Sequence, residues 1–485
     1  MNKFYITTSI AYVNAPPHLG FALESVQVDV LARYHRQKGE EVFFLTGTDE
    51  HGAKIARAAE AAGKTPKELV DENSEKFKAL KSALNLSWDN FIRTSDKEIH
   101  WLVAQELWNR LEKAGDLYKK SYQGLYCVGH EAFVTQKDLE NGKCRDHQKE
   151  PEIIEEENWF FRLSKYTKEI ELRIRNNELR IIPETRKNEV LSFLSEGLAD
   201  ISFSRPSKDL SWGVPVPEDE TQTMYVWADA LSNYISGYGE VKKWEEHPAN
   251  VHLIGKDILR FHAVIWPAML LSTRLSLPKA IYVHGHILVD GEKMSKTVGN
   301  VIDPFELVKK YGIDPVRYYL LREIPSGEDG DFSYKKFEER YNGDLANGLG
   351  NFAARVLTLA ECDSNLRIHS NNPNEIEEAV DKKIQETKSL VSKKIEGFKL
   401  NEALETLWNL IHFGDQYVNE KKPWDKQQAS GFRLQAIYNS VVILDNAAAL
   451  LAPFLPETAR QITESIQWEK GVLKIKKGEV LFPRL

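Results

Sequence analysis

Three cysteines in 485 residues are too few to staple a fold, so a disulfide scaffold is excluded and a reducing, cytoplasmic compartment is expected. Long hydrophobic runs are scarce too. No apolar stretch approaches the ~20 residues that cross a bilayer, and the longest candidate, residues 441–455, is broken by Asp445, Asn446 and Pro453 and reads as a core helix. No signal peptide opens the chain, no internal repeat or low-complexity segment is visible, and a protein without membrane contact is expected. A surplus of positive charge is missing as well. The 64 basic and 72 acidic residues leave a formal net charge of −8, so a polyanion must be met by local basic patches. What remains is 42% hydrophobic and 28% charged residues, an ordinary globular balance, in a length that asks for two or three domains.

The N-terminal stretch carries a nucleotide-fold pattern. Phe4-Tyr5-Ile6 is a short β-favouring run, and Asn14 with Pro16-Pro17 keeps residues 9–17 out of a helix. Leu23, Val26, Val30 and Tyr34 then step by three or four until Gly39 stops them, and residues 42–45 form the next buried strand. Such a βαβ unit binds ligands beyond the carboxyl ends of its strands, where residues 9–21 and 46–52 lie. In the first loop, His18-Leu19-Gly20 opens the helix. Backbone N–H groups there favour phosphate and the glycine admits a nucleotide, although a capping histidine accounts for the pattern as well. In the second, Thr46-Gly47-Thr48-Asp49-Glu50-His51-Gly52 sets three acidic or imidazole groups between glycines. They call for a ligand, unless Asp49 simply caps the next helix.

Cys127-x2-His130 and Cys144-x2-His147 are two knuckles of equal spacing on either side of an Asn141-Gly142 turn. Thiolate and imidazole in that pattern close a tetrahedral zinc site with no open position, a structural arrangement; four unrelated residues are the alternative. Residues 158–161, the helix-like stretch 166–176, then residues 186–197 and a proline-containing loop over 204–215 follow. Tyr225, Trp227 and Tyr234 cluster next, and residues 251–261 run from a strand through Gly255-Lys256-Asp257 into a helix; core packing is the default for such aromatics.

Residues 280–283 read as a buried strand, and Leu288-Val289 lead through a turn at Asp290-Gly291 to Lys293, Ser295, Lys296, Thr297 and Gly299. Two ammonium groups on a glycine-flanked loop suit a triphosphate, with a solvated turn as the plainer alternative. From Leu345 the period becomes helical. Leu345, Leu349, Phe352, Val356 and Leu359 step by four and three, as do the series beginning at Leu400 and Leu434, which predicts an antiparallel bundle. Asn351 and Arg355 share a helix face, and Trp424 follows Lys421-Lys422-Pro423. Such groups can read splayed bases or can be ordinary solvated residues.

The lysine loop resembles the KMSKS signature of class I aminoacyl-tRNA synthetases, with Thr297 for the final serine. His18-Leu19-Gly20-Phe21 resembles their HIGH signature, with Phe21 for the final histidine. Together with Tyr12-Val13-Asn14 and the string over 46–52, the chain resembles the methionyl-tRNA synthetase family over essentially its whole length. The resemblance implies an α/β fold: a Rossmann-like parallel-sheet catalytic domain (1–115 and 226–290), interrupted by a connective domain with a zinc knuckle (116–225). A lysine-loop and stem-contact region (291–340) and a C-terminal α-helical anticodon-binding bundle (341–485) would follow. It implies methionine activation by ATP and Mg²⁺, then transfer to tRNA(Met), the initiator included, through the 2′-hydroxyl. Lys296, Lys293 and His18 would be catalytic, and Gly20, Phe21, Ser295 and Thr297 would complete the ATP site.

Asp49 would take the α-ammonium of methionine. Ile10, Tyr12, Trp227, Ala230, Leu231, Tyr234, Ile258, Phe261 and His262 would line its side chain, with Asp257 supporting the site or the adenosine. Asn351, Arg355 and Trp424 would read the anticodon CAU. The family commonly has cysteine where His130 stands, which keeps a zinc ligand there. The chain stops after Pro483 with no appended β-barrel, so a monomer is expected. Isoleucine, valine and leucine enzymes carry a large editing insertion for which residues 116–225 leave too little room, and a cysteine enzyme needs a cysteine that residues 1–126 lack. A catalytically dead tRNA-binding relative is the rival of another class, supported by Phe21 and opposed by Asp49 and the lysine loop.

Overall fold

The computed structural model describes residues 2–130, 132–294, 299–361, 376–469, 472–476 and 478–485. The chain forms two compact units, one of Met1–Val28, His35–Lys81 and Ser87–His284, the other of Asp29–Tyr34, Ser82–Leu86 and Gly285–Leu485.

The first unit is built on a seven-stranded sheet. Its order is Arg180–Ile182, Ala280–His284, Val251–Gly255, Lys3–Thr7 and Glu41–Asp49, with Ala11–Tyr12 and Asn90–Arg93 both paired to Glu41–Asp49. Every pairing is parallel. The sequence reason is visible in Val251–Gly255 and Ala280–His284, continuous runs buried at every residue, as a strand covered on both faces requires. From Lys3–Thr7 the chain passes to Glu41–Asp49 on one side and returns much later to Val251–Gly255 on the other. That reversal of strand order opens a crevice beyond the carboxyl ends of the strands, at Thr7, Asp49, Gly255 and His284.

Within the same unit, Leu117–Cys127 and Glu152–Phe161 form a long antiparallel ladder, from Leu117 opposite Phe161 to Tyr126 opposite Glu152, with Ala132–Val134 and Ile201–Ser202 on its edges. The stretch over 204–215, expected as a loop, contributes strands. Ser204–Pro206 and Pro215–Val216 flank Asp219–Met224 in a three-stranded sheet. Both prolines sit on outer strands, where a missing N–H breaks no ladder.

The second unit is mainly helical: Pro304–Tyr311, Ile313–Arg322, Tyr334–Arg340, Asn351–Glu361, Glu378–Glu396, Leu400–Lys421, Ser430–Leu451 and Pro456–Ser465. The periodicity read from Leu345 holds as α-helix only from Asn351. Tyr341–Gly350 is a π-helix instead. Gly343, Gly348 and Gly350 make the wider turn accessible, and Trp408 Nε1 donates to the Asp344 carbonyl at 3.3 Å. Ser430–Leu451 is long and apolar enough to cross a membrane, yet 67% of its apolar window is buried in the fold, in keeping with its reading as a core helix. The hairpin of Ile466–Glu469 with Val472–Ile475 was not expected. Trp468 packs edge-on against Tyr438 there.

Candidate active site

At the carboxyl end of the sheet, His18 caps the helix Leu19–Gln37. Its carbonyl accepts from the N–H groups of Phe21 and Ala22 at 3.1 and 3.2 Å, and its Nδ1 accepts from the Gly20 N–H at 3.0 Å. Accepting at Nδ1 puts the ring proton of this exposed imidazole on Nε2. Phe21 packs edge-on against Phe77, with centroids 5.1 Å apart.

Asp49 ends its strand as a buried carboxylate and is not a helix cap. The following helix, Ala53–Ala61, begins at Gly52 with no side-chain cap. Its two neighbours have their partners inside the fold. Glu50 accepts from Thr48 Oγ1 at 2.6 Å, from Arg93 Nε and Nη2 at 2.7 and 2.9 Å, and from Ser95. His51 Nδ1 lies 2.7 Å from Asp229. Gly47 is needed for this strand to lie beside Asn90–Arg93, since a Cβ would come 2.2 Å from the Ile92 carbonyl oxygen.

The apolar lining comes from two segments. Trp227 stacks face to face on Phe261, 3.8 Å between centroids and 5° from parallel. Ile10, Tyr12, Trp227, Ile258 and Phe261 are all half-buried and packed against the same core. Ala230, Leu231, Tyr234 and His262 are fully buried. His262 lies in a π-helical turn, Phe261–Ile265, an irregularity frequent at functional sites. The Tyr234 hydroxyl donates to His262 Nε2 at 2.7 Å, and Nδ1–H donates to the Ile258 carbonyl at 3.0 Å. Burial pushes the His262 imidazole down to about 4, against the Ile258 carbonyl and Asp257, so the ring is neutral and both nitrogens are committed.

Asp257 lies in the turn Lys256–Ile258, and a Cβ on Gly255 would be 2.8 Å from its Oδ1 and 3.6 Å from His284 Nε2. His284 Nε2 is in turn 3.0 Å from Glu24, whose other oxygen accepts from the N–H and hydroxyl of Ser9 at 2.6 and 2.7 Å. Glu24 and Asp229 were missed in the sequence. Glu24 falls on a helix buried on nearly every side, so no polar face marked it out.

The four knuckle residues converge: their donor atoms all lie within 4.8 Å of one another. Cys127 Sγ is 3.8 Å from His147 Nδ1, and Cys144 Sγ is 3.6 Å from both His130 Nδ1 and His147 Nδ1. With Zn–S of about 2.3 Å and Zn–N of about 2.0 Å, a tetrahedron has S···N edges of about 3.5 Å, so the set fits zinc. His130 turns its other nitrogen to Asp146 at 2.8 Å, as a metal-bound imidazole does. A Cβ on Gly129 would strike the His147 ring at 2.2 Å, so the knuckle closes only with glycine there.

In the second unit, the turn at Asp290 and Gly291 (φ 52° and 81°) leads into the strand Glu292–Lys293. Ser295, Lys296 and Thr297 lie outside the described residues. On the bundle, the Arg355 guanidinium is 2.6 Å from Asp415, 2.8 Å from Asn419 and 5.6 Å above the Trp424 ring, which is 46% exposed. Asn351 is exposed on the same helix, and among the described residues no bond joins it to that pair.

A family model described as "tRNA synthetases class I (M)" matches residues 4–138 and 132–357, and one described as "Anticodon-binding domain of tRNA ligase" matches residues 377–478. The chain is similar to the methionine–tRNA ligase of Clostridium acetobutylicum, 43% identical over 510 aligned residues that cover 100% of this chain and 78% of that one. It is 41% identical to the Thermotoga maritima methionine–tRNA ligase, covering 100% of this chain and 80% of the relative. Mycobacterium tuberculosis methionyl-tRNA synthetase in complex with methionyl-adenylate superposes with a TM-score of 0.93 at 39% identity, over 100% of both chains.

Proposed function

The chain belongs to the methionyl-tRNA synthetases of class I, and from that premise we propose how its own residues divide the reaction. The reaction is ATP-dependent activation of methionine to the adenylate, then transfer to tRNA(Met). The side chain of methionine takes the apolar pocket. One observation carries this: Tyr234 and His262 spend their polar atoms on each other and on the Ile258 carbonyl, so an aromatic lining can meet an unbranched thioether. Ile10, Tyr12, Trp227, Ala230, Leu231, Ile258 and Phe261 complete the lining, and Asp49 takes the α-ammonium. Such a pocket discriminates by only about 1–3 kcal/mol per methylene, a figure the handling of related synthetases itself supplies, so homocysteine and norleucine are poorly rejected by binding alone.

The phosphates meet His18, Gly20 and the helix N-terminus they open, with Lys293, Ser295, Lys296 and Thr297 from the lysine loop and Mg²⁺ as counter-charge; Asp257 serves the adenosine. The methionine carboxylate attacks the α-phosphate and pyrophosphate leaves. Catalysis is positioning plus stabilisation of phosphate charge, with no covalent enzyme intermediate. ATP–pyrophosphate exchange run across the twenty amino acids tests the assignment: exchange with methionine alone supports it, and exchange with none or with another amino acid overturns it.

Asn351, Arg355 and Trp424 read the anticodon, supported by the exposed Trp424 ring under a guanidinium. Cys127, His130, Cys144 and His147 hold a structural zinc that ties the hairpin tip, supported by donor spacings that match a tetrahedron. Elemental analysis should give about one zinc per chain, lost in Cys144→Ser; metal-free protein of undiminished stability would defeat this. A cytoplasmic location is supported by the low cysteine content.

A further inference from the structure

The pocket assigned above has two walls from distant parts of the chain, and a buried hydrogen-bonded chain joins them. His51 follows Asp49 by two residues, while Asp229 stands between Trp227 and Ala230 on the helix Val226–Leu231. His51 Nδ1 is 2.7 Å from Asp229 Oδ2, His100 Nε2 is 2.7 Å from Oδ1, and His100 Nδ1 is 2.8 Å from Ser236 Oγ. All four side chains are buried. Burial opposes ionisation of Asp229, but the two imidazoles hold its carboxyl down to about 2, so each imidazole donates one N–H to a carboxylate. His51 Nε2 is buried without a hydrogen-bond partner among the described residues, and the His51 ring meets Trp101 and Trp212 in T-shaped contacts with centroids 5.9 and 5.5 Å away.

A charged chain of this kind is a poor way to stabilise a core, since well-packed apolar residues do as well or better; it earns its place when it specifies geometry. Here it links the loop carrying the ammonium-binding carboxylate to the helix carrying the side-chain platform. We propose that His51 is a positioning and specificity-determining residue. Through Asp229 it sets the span between Asp49 and the Trp227 wall, and with it the amino-acid length that the site accepts. His100 and Ser236 brace Asp229 from its other oxygen. The inference rests on the methionine-pocket reading, whose own failure shows separately, as wild-type enzyme that does not exchange with methionine.

The test compares L-methionine with L-ethionine, one methylene longer, in pyrophosphate exchange, with active sites titrated by the adenylate burst. His51→Leu keeps volume and removes the donor. It should raise the methionine KM about tenfold, leave the ATP KM and kcat per active site within about threefold, and shrink the methionine-over-ethionine ratio of kcat/KM at least about fivefold. His51→Asn, whose amide can donate near the position of Nδ1, should restore most of that ratio. A residue that only holds the fold would lower the number of active sites and leave both KM values and the ratio alone; that outcome overturns the proposal. So does a relaxed ratio that His51→Asn fails to restore. If the carboxylate stranded by His51→Leu unfolds the chain, His51→Leu/Asp229→Asn removes that charge and the same ratio is read.

Discussion

The proposed methionine pocket and the proposed anticodon face use aromatic and polar side chains in opposite ways. In the pocket, Tyr234 and His262 are buried and their side-chain polar atoms are committed to each other and to the Ile258 carbonyl, so the rings cannot move without stranding a donor or acceptor. On the bundle, Arg355 rests on Asp415 and Asn419 of a single helix at solvent-accessible positions, and the Trp424 ring beneath its guanidinium is about half exposed. Exposed ion pairs contribute only about 0–1 kcal/mol, so the arginine can be re-aimed when a base arrives. A small apolar ligand with few contacts needs walls already in place. A splayed base brings its own stacking surface and needs only an accessible ring.

The sharpest way to break that contrast is Asp49→Ala. A buried ammonium that loses its carboxylate costs ~3–5 kcal/mol, so methionine KM should rise roughly 10²- to 10⁴-fold while ATP KM changes little. Exchange kinetics at varied methionine check this; a change of a few fold would mean that the ammonium is met elsewhere and that the pocket is less built than its geometry indicates.

Acid tests the same rigidity through His262. Its folded value, about 4, lies below the ordinary 6.5, so below pH 6.5 the unfolded chain takes up a proton that the folded one refuses. The stability this group contributes is whole above pH 6.5 and is lost as the pH falls towards 4. Burial lowers the neighbouring His252 in the same direction. Between pH 7 and 5 the wild type should lose about 2 kcal/mol more than His262→Gln, read from urea unfolding midpoints. Parallel pH profiles would show that water reaches the ring and that the pocket is open.

On the bundle side, Trp424→Ala should cost aminoacylation about 1–3 kcal/mol, roughly 10- to 100-fold, through the lost stacking surface. Methionine activation measured without tRNA should be nearly unchanged. Equal damage to both steps would make Trp424 a packing residue and bring the two regions closer in character.

How much of this was readable depends on whether a contact is local. The strand at Phe4–Ile6 and the helix that His18-Leu19-Gly20 opens are set by nearest neighbours and lie where the residue pattern puts them, whereas the expected loop over 9–17 also holds the short strand Ala11–Tyr12, fixed by its distant partner Glu41–Asp49. The two knuckles were legible because ligand chemistry restricts both residue type and spacing. The Asp229 tie was not, because His51 and Asp229 are 178 residues apart and neither belongs to a repeating pattern. Glu24 and the π-turn at Phe261–Ile265 escaped for a different reason. Around Glu24 the helix is buried at every position, so no polar face marks that residue out, and the 3.6-residue period assumes the very hydrogen-bond register that the π-turn breaks.

The smallest expected effect lies where the chain departs from the family signature. Phe21 stands at the position of the last histidine of HIGH, and its ring meets Phe77 edge-on at an interplanar angle of 79°. Such a contact is worth ~0.5–1.5 kcal/mol beyond the area it covers, so the phenylalanine serves the packing of the helix start. Phe21→His should lower stability by about 1 kcal/mol or less, because imidazole keeps a ring edge in the same place, and it restores an N–H beside the phosphate-facing helix N-terminus. Exchange should then be unchanged or a few fold faster, with the gain in kcat and not in ATP KM if the donor acts on the transition state. Phe77→Leu is the partner measurement: it removes the ring contact and adds no donor, so it should reproduce the stability loss with no gain in rate. A tenfold fall in exchange for Phe21→His, at a fold as stable as that of Phe77→Leu, would mean that the apolar face of Phe21 itself touches the nucleotide. The N-terminal signature would then work by stacking, as the bundle face does, and the contrast between the two regions would narrow to the methionine pocket alone.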